Sequence, residues 1–231
     1  MKNHIAILSI MVLFIFTLNI ILSVIQDKLM MDLTYQSIVF IISAYLFHMG
    51  LNLGLVRIVL DIINNKEINF SSLFTSFHML MPYVMASVIY LFILLLVAMP
   101  GILLLAFSIS VKIENIFSSE GGMFTMLSIL LIIIPTIYLS VRLQFYNYFL
   151  IDQECGIIES IKKSADISKG HILELFIFGA YLSIIVLLAL IPLIIGLSIG
   201  TPLVIIFALP LGIGLLFTIL ATGYVYFILS G

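Results

Sequence analysis

Formal charge is scarce in this sequence, and its scarcity excludes a soluble domain. Charged residues make up 9% of the 231 residues and hydrophobic residues 64%, whereas a soluble domain carries roughly 25% charged residues. The mean hydropathy is +1.37. The composition therefore predicts an integral membrane protein.

The balance of the few charges excludes a second class of protein. Nine basic and 11 acidic residues give a net charge of −2, whereas a nucleic-acid-binding domain needs a basic face. We therefore expect neither DNA nor RNA as a partner.

Cysteine and tryptophan are also nearly or wholly missing. Cys155 is the single cysteine, which excludes an intrachain disulfide and a metal cluster built on cysteines. No tryptophan occurs, so tyrosine and phenylalanine must form the aromatic belts at the membrane interfaces. Tyrosines near the ends of two apolar runs are predicted to be interfacial anchors: Tyr146, Tyr148, Tyr224 and Tyr226.

Catalytic motifs are missing as well. The sequence has no H-E-x-x-H motif and no paired acidic motif for phosphatidyl transfer. Its histidines are scattered and lack acidic partners at metal-ligand spacing: His4, His48, His78 and His171. We expect no catalytic residue, no metal site, no cofactor and no enzymatic activity.

Long apolar runs are what the sequence does contain. About 20 mostly apolar residues span a hydrocarbon core of ~30 Å, and six segments qualify: 5–26, 35–57, 76–98, 123–145, 172–196 and 203–229. The first is 22 residues long, which exceeds the ~7–15 apolar residues of a signal peptide, so we expect it to be retained. The expected fold is an all-α transmembrane bundle forming a single domain over 1–231.

The third apolar run is unusually long, because it continues past Pro100 and Gly101 to Val111. Proline and glycine disrupt helices. The sequence therefore predicts a tilted or broken helix, with 102–111 near the far interface. It leaves open whether this last part continues the third helix or re-enters the membrane.

Charge bias predicts the orientation of the bundle. Lys and Arg accumulate in short cytoplasmic loops. With both termini inside, only Lys28 and Lys112 lie outside, whereas seven basic residues lie inside: Lys2, Arg57, Lys66, Arg142, Lys162, Lys163 and Lys169. A seventh crossing at 102–111 would reverse most of this bias, so six crossings are favoured.

The stretch 140–171 contains eight of the 20 formal charges, four of each sign. Arg142 is predicted to reach lipid phosphates from the end of the fourth crossing. Asp152 is predicted to cap a short amphipathic helix over about 154–169, which lies along the inner membrane surface. Gly170 is predicted to end this helix. Its apolar face is predicted to contain Ile157, Ile158, Ile161 and Ala165. Its outer face is predicted to carry the charged residues Glu159, Lys162, Lys163, Asp166 and Lys169.

A second cytoplasmic cluster occupies 50–74. Gly50 and Gly54 are spaced to let another helix approach closely, and Arg57 and Asp61 are spaced to form an ion pair. Asn52 lies one helical turn from His48 on the same face. Gly196 and Gly200 form another small-residue pair, which is weaker evidence for helix packing or for a homo-oligomer.

Together these residues resemble a known family. The order of G-L-x-R-I-x-L-D from Gly54, R-L-x-F from Arg142, G-I-x-E-S-I-K-x-S from Gly156 and then K-G resembles the membrane domain of glycerophosphodiester phosphodiesterases and related bacterial integral membrane proteins. The resemblance covers about 50–230. It implies a bacterial membrane domain that can accompany a catalytic barrel but is not itself the catalytic part.

Two functions follow from these observations. The first is a non-catalytic, multi-pass protein of a bacterial plasma membrane, acting as a scaffold or accessory subunit that contacts lipid headgroups or a partner protein at the cytoplasmic face. The alternative is a transport component, either a small permease or the membrane subunit of an exporter. Its path would be lined by polar residues in or near the crossings: His48, Asn52, His78 and Asn147.

Overall fold

The structure is a computed structural model that describes residues 35–110, 119–199 and 204–231, together with ten residues between 10 and 25. The described part is helical and contains no strand. Its helices are α1 (Tyr35–Ile63), α2 (Ser72–Thr75), a 3₁₀ turn (Ser76–Met79), α3 (Leu80–Ser110), α4 (Ser119–Leu143), α5 (Tyr146–Asp152), α6 (Ile157–Ile167), α7 (Ile172–Ile199) and α8 (Val204–Ser230).

Five helical stretches are long and apolar enough to cross a membrane. They are Tyr35–Ile63, Ser72–Ile109, Gly122–Asp152, Ile172–Gly196 and Pro210–Ser230. These stretches match the second to sixth predicted crossings, and they confirm a helical chain suited to multiple membrane passes. The first predicted crossing, 5–26, lies mostly outside the described residues, and the number of six crossings and the inside location of both termini stay predictions.

The third crossing is not broken at Pro100 and Gly101, and of the two courses that the sequence left open for its last part, the structure shows the continuous one. α3 runs unbroken from Leu80 to Ser110 with Pro100 inside it, so residues 102–110 continue the helix. A Cβ atom at Gly101 would lie 2.6 Å from Cγ1 of Ile132 and 2.8 Å from the carbonyl oxygen of Ser128. Gly101 therefore lets α4 pack tightly against α3, and such packing allows a membrane helix to tolerate proline.

The long helices pack in antiparallel pairs. α3 lies along α4, and α7 lies along α8. Within the second pair, a Cβ atom at Gly214 would lie 3.1 Å from Cβ of Ala189. α8 also reaches α1, where Gly223 lies directly against the side chain of Val59. Small residues thus mark the closest approaches between the helices, as van der Waals packing in a membrane requires.

The chain folds back on α1 after its last turn. Asn65 adopts a positive φ of 54°, and the returning segment brings the backbone of Leu73 against Gly54. One turn further along, a Cβ atom at Gly50 would lie 2.6 Å from Cζ of Phe77. The close approach predicted for Gly50 and Gly54 is confirmed. Gly196 is buried, but Gly200 lies outside the described residues, so that pair stays a prediction.

The most densely buried part of the fold lies at one end of the bundle, where α1, α4 and α8 end and α3 and α7 begin. We call this end of the bundle the polar end, because it contains the hydrogen-bonded side chains of Arg57, Arg142 and Asp152. There, Tyr148, Phe149 and Ile151 of α5 pack with residues of α1, with Leu175 of α7 and with Tyr226 of α8. Along the rest of their length the helices are largely exposed, and only 6% of the most apolar part of α7 is buried. The short helix α5 therefore lies at the centre of this buried cluster, whereas a second cluster, which includes Leu51, Ile58 and Leu73, lies on α1 without it.

Gly54 provides a direct test of this packing. We expect Gly54→Ala to lower the free energy of unfolding by about 1–3 kcal/mol, because the added methyl group would meet the Leu73 backbone and force a shift. Gly179→Ala is the matched control, since a Cβ atom there meets nothing within 4 Å. Circular dichroism during unfolding in detergent measures both variants, and equal stabilities would contradict the proposed close contact.

Candidate functional site

The candidate site is the polar end, and Arg57 is its first component. The side chain of Arg57 donates a hydrogen bond from Nη1 to the carbonyl oxygen of Ile151, at 3.2 Å. Its Nε lies 3.6 Å from Oδ1 of Asp61, which confirms the predicted pair. The same carboxylate oxygen lies 3.8 Å from Nζ of Lys66. Ile151 is in the last turn of α5, where carbonyl groups lack helical partners and carry partial negative charge. Arg57 therefore satisfies one of these carbonyl groups.

Arg142 makes the corresponding bond at the next short helix. Its Nη2 donates to the carbonyl oxygen of Ala165 in α6, at 3.0 Å, and its guanidinium carbon lies 5.9 Å from the centre of the Tyr138 ring. The sequence predicted only that this side chain reaches lipid phosphate. The structure gives it a bond within the chain as well, which ties the end of α4 to α6.

Two buried serines complete the junction between α4 and α6. Ser164 donates from Oγ to the backbone carbonyl of Arg142, at 3.1 Å. The hydroxyl of Ser168 lies 3.0 Å from the same carbonyl and 2.8 Å from the carbonyl of Ser164, and its one hydrogen is shared between them. Oγ of Ser164 also accepts the N–H of Phe145, at 3.0 Å. Both serines are fully buried. A helix leaves its last carbonyl groups unpaired, and here the two hydroxyls satisfy one of them.

Sequence reasoning missed this serine face and predicted a different buried face for the short helix. α6 spans Ile157–Ile167, within the predicted 154–169, but it buries Ser160, Ile161 and Ser164, while Ile158 is 63% exposed. The spacing of Ser160, Ser164 and Ser168 at every fourth residue was the available clue. That the helix is amphipathic and lies along a membrane surface stays a prediction.

Asp152 does not cap α6, contrary to the sequence prediction. α6 begins after Gly156, and no side chain makes a capping hydrogen bond there. Asp152 is instead the last residue of α5, and its Oδ2 accepts a hydrogen bond from the hydroxyl of Tyr226, at 3.0 Å. The intervening chain changes direction at Glu154, whose φ is +46°. Asp152 therefore joins α5 to α8.

Three of the four predicted anchor tyrosines pack inside the protein. Tyr148 and Tyr226 are 3% and 1% exposed, their rings stack at 5.2 Å, and Tyr148 donates to the carbonyl of Ile219. Tyr146 stacks between Tyr83 and Tyr90 of α3. A buried tyrosine needs a partner for its hydroxyl, and the polar end supplies these partners. Tyr224, 58% exposed, remains compatible with an interfacial position.

The outer face of α6 presents charge. Nζ of Lys163 lies 2.7 Å from Oε1 of Glu159, as the spacing predicted, and 2.7 Å from Oε1 of Gln153. The hydrogen bond raises the pKa of the Lys163 ammonium and lowers the pKa of the Glu159 carboxyl. Lys162 and Lys169 are exposed. Gly170 has a φ of +94°, which favours glycine. The helix itself ends earlier than predicted, at Ile167 with Ser168 as its C-cap, so Gly170 belongs to the turn that follows.

The predicted path residues are not gathered in one place. Nδ2 of Asn52 lies 3.1 Å from Nε2 of His48 on α1, and Nδ1 of His48 is buried without a hydrogen-bond partner among the described residues. His78, in contrast, is exposed and contacts the carbonyl of Thr75, and Asn147 accepts the N–H of Tyr148. Only His48 and Asn52 therefore meet within a crossing.

Neither a metal-binding cluster among the described residues nor a known relative identifies the chemistry of the polar end. In the described part of the chain, no three His, Cys, Asp or Glu side chains are grouped to hold a metal ion.

No protein-family model, no curated protein and no solved structure matches the sequence. The resemblance to the phosphodiesterase membrane domain therefore stays a prediction.

The contribution of Ser164 and Ser168 to the junction between α4 and α6 can be measured by substitution. In a Ser164→Ala, Ser168→Ala double variant, the carbonyl of Arg142 loses both donors, and we expect the free energy of unfolding to fall by about 1–3 kcal/mol. Ser183→Ala is the control, because its exposed hydroxyl bonds only within α7. Denaturation in mixed detergent micelles gives both values. A double variant as stable as the control would show that the junction contributes nothing.

Proposed function

We propose that this chain is a non-catalytic, multi-pass protein of a bacterial plasma membrane. Its role is that of a scaffold or accessory subunit, and its polar end contacts lipid headgroups or a partner protein in the cytoplasm. The observation that carries the proposal is the polar end itself. There, bonds within the chain hold five helices together, while charged side chains remain exposed on the outer face.

Rigidity supports a binding role for the polar end. Arg57 joins α1 to α5, Arg142 joins α4 to α6, and Asp152 joins α5 to α8. A surface that is already ordered loses less conformational freedom when a partner binds. The exposed Lys162 and Lys169 then provide contacts whose positions are fixed by buried bonds.

The charge distribution supports the orientation. Arg57, Lys66, Arg142 and the lysines of 162–169 belong to the polar end, and basic residues favour the cytoplasmic side. The family resemblance favours the same assignment, since it implies a bacterial membrane domain that does not carry the catalytic part. A second copy of the chain is one candidate for the partner.

Site-directed photo-crosslinking in cells tests the scaffold role. With p-benzoylphenylalanine at Lys162 or Lys169, both exposed, we expect adducts with one and the same protein, identified by mass spectrometry. The probe at Leu188, which is 60% exposed on a membrane-spanning part of α7, serves as the control and should miss that protein. Absence of a shared adduct would contradict the partner role, and turnover of lipids by the purified chain would contradict a non-catalytic function.

One observation favours transport as the second candidate. His48 lies within a crossing and has a buried ring nitrogen without a hydrogen-bond partner in the described residues, and ionisable groups inside membranes often mark a path for ions or solutes. Its other ring nitrogen, Nε2, lies 3.1 Å from Nδ2 of Asn52. A proton or a small polar solute would be the kind of species that such a pair handles.

Proton uptake into vesicles separates the two candidates. For a scaffold, we expect vesicles with and without the protein to acidify at the same rate, as reported by a trapped pH-sensitive dye. Protein-dependent uptake that His48→Ala abolishes, but that His78→Ala at the exposed polar end leaves intact, would instead establish transport. The two histidine variants remove the same group from different places, so they control for a general loss of stability.

A further inference from the structure

An apolar groove lies between α4 and α7 near the polar end. Its volume is about 490 Å³, and its lining includes Ile134, Ile137, Tyr138, Val141, Leu173 and Phe176. Ile134 and Leu173 are 61% and 71% exposed, so the groove is open on its outer side. Both helices are candidate membrane spans here. The length and composition of these helices thus suit a position of the groove against the hydrocarbon of a bilayer.

The dimensions of the groove suit part of a lipid chain. Ile134 and Val141 are seven residues apart on α4, which corresponds to roughly 10 Å along the helix axis. That length is about one third of a ~30 Å hydrocarbon core. The groove can accommodate the part of an acyl chain that lies nearest its headgroup.

A cation lies at the end of the groove. Arg142 directly follows the lining residue Val141, and its guanidinium carbon is 5.9 Å from the ring centre of Tyr138, which is also in the lining. The side chain is partly exposed. A guanidinium has five N–H donors, and the bond from Nη2 to Ala165 uses one of them. Nε is buried without a hydrogen-bond partner among the described residues, so the remaining donors on Nη1 and Nη2 are the ones left to bind an anion while Arg142 holds α6.

The turn between α6 and α7 forms the other side of the groove mouth. Ser168 fixes this turn to the carbonyl of Arg142, at 3.0 Å, and the exposed Lys169 follows it. Two acidic side chains lie close in sequence. Asp166 is exposed, and Glu174 is hydrogen-bonded to His171, with 2.9 Å between Oε2 and Nδ1. Arg142 is therefore the cation next to the lining, Lys169 lies three residues before the lining residue Ile172, and one of the two nearby carboxylates already has a partner.

We propose that this groove binds one anionic phospholipid, with an acyl chain along α4 and α7 and the phosphate at Arg142. Basic pockets between membrane helices bind anionic headgroups in this way, and apolar lining alone would not select among headgroups. The inference deepens the proposed function and rests on its assignment of the polar end to headgroup depth. Its test does not involve the protein partner, so either can fail without the other.

The absence of tryptophan makes a fluorescence test specific. Phe176→Trp places the only tryptophan of the chain in the groove, and Phe227→Trp places it outside the groove on α8. The two phenylalanines are matched, with 47% and 45% exposure and similar distances from the polar end of their helices. Each reporter is reconstituted in mixtures of phosphatidylcholine and phosphatidylglycerol, with brominated acyl chains on one lipid at a time to quench the fluorescence.

At the Phe176→Trp reporter, we expect phosphatidylglycerol to bind about fivefold more tightly than phosphatidylcholine. This is the increase in binding constant that one basic residue gives near an anionic headgroup. For the Phe227 reporter we expect no preference. Arg142→Gln should remove the preference in the groove, and Arg142→Lys should retain part of it. Equal preference at both reporters, or a preference in the groove that survives Arg142→Gln, would overturn the proposal.

Ionic strength provides a second readout that leaves Arg142 unchanged, for use if its variants do not fold. The preference at the groove reporter should fall as salt rises from 0.01 M to 1 M, because the Debye length shortens from about 30 Å to about 3 Å. A groove preference that is independent of salt would also overturn the proposal. Circular dichroism of each variant checks that the helices are intact.

Discussion

The fold depends on how the carbonyl ends of its helices are satisfied. A helix end that is buried against other helices leaves backbone acceptors with little access to water. At the polar end, an arginine from one helix donates to the last turns of another, from Arg57 to Ile151 and from Arg142 to Ala165. Ser164 and Ser168 satisfy the carbonyl of Arg142 itself. The helices are joined because their ends need one another's donors.

This requirement explains why the core is displaced toward one end. Burying apolar side chains between helices brings no large gain within lipid, since lipid is equally apolar. The spanning parts therefore need only glycine contacts, as at Gly101 and Gly214. Near the interface water is present and apolar burial is favourable again. There, Phe149 and Tyr226 can form a core resembling that of a soluble protein.

Features set by local spacing could be predicted from the sequence, whereas features set by distant partners could not. The Arg57–Asp61 and Glu159–Lys163 pairs, the close contacts at Gly54 and the turn at Gly170 follow from positions within one helix or one turn. The role of Asp152 depends on Tyr226, 74 residues away. The uninterrupted course of α3 through Pro100 likewise depends on α4. No local pattern contains that information.

The confinement of these cross-connections to the polar end has a mechanical consequence. The α3–α4 and α7–α8 pairs are held together along their lengths by close packing, but the hydrogen bonds described here join one pair to the rest near a single membrane face. Helices meet a thicker or thinner bilayer by changing their tilt. In this architecture, a change of tilt that preserves the hydrogen bonds of Arg57, Arg142 and Asp152 would move mainly the opposite ends of the helices.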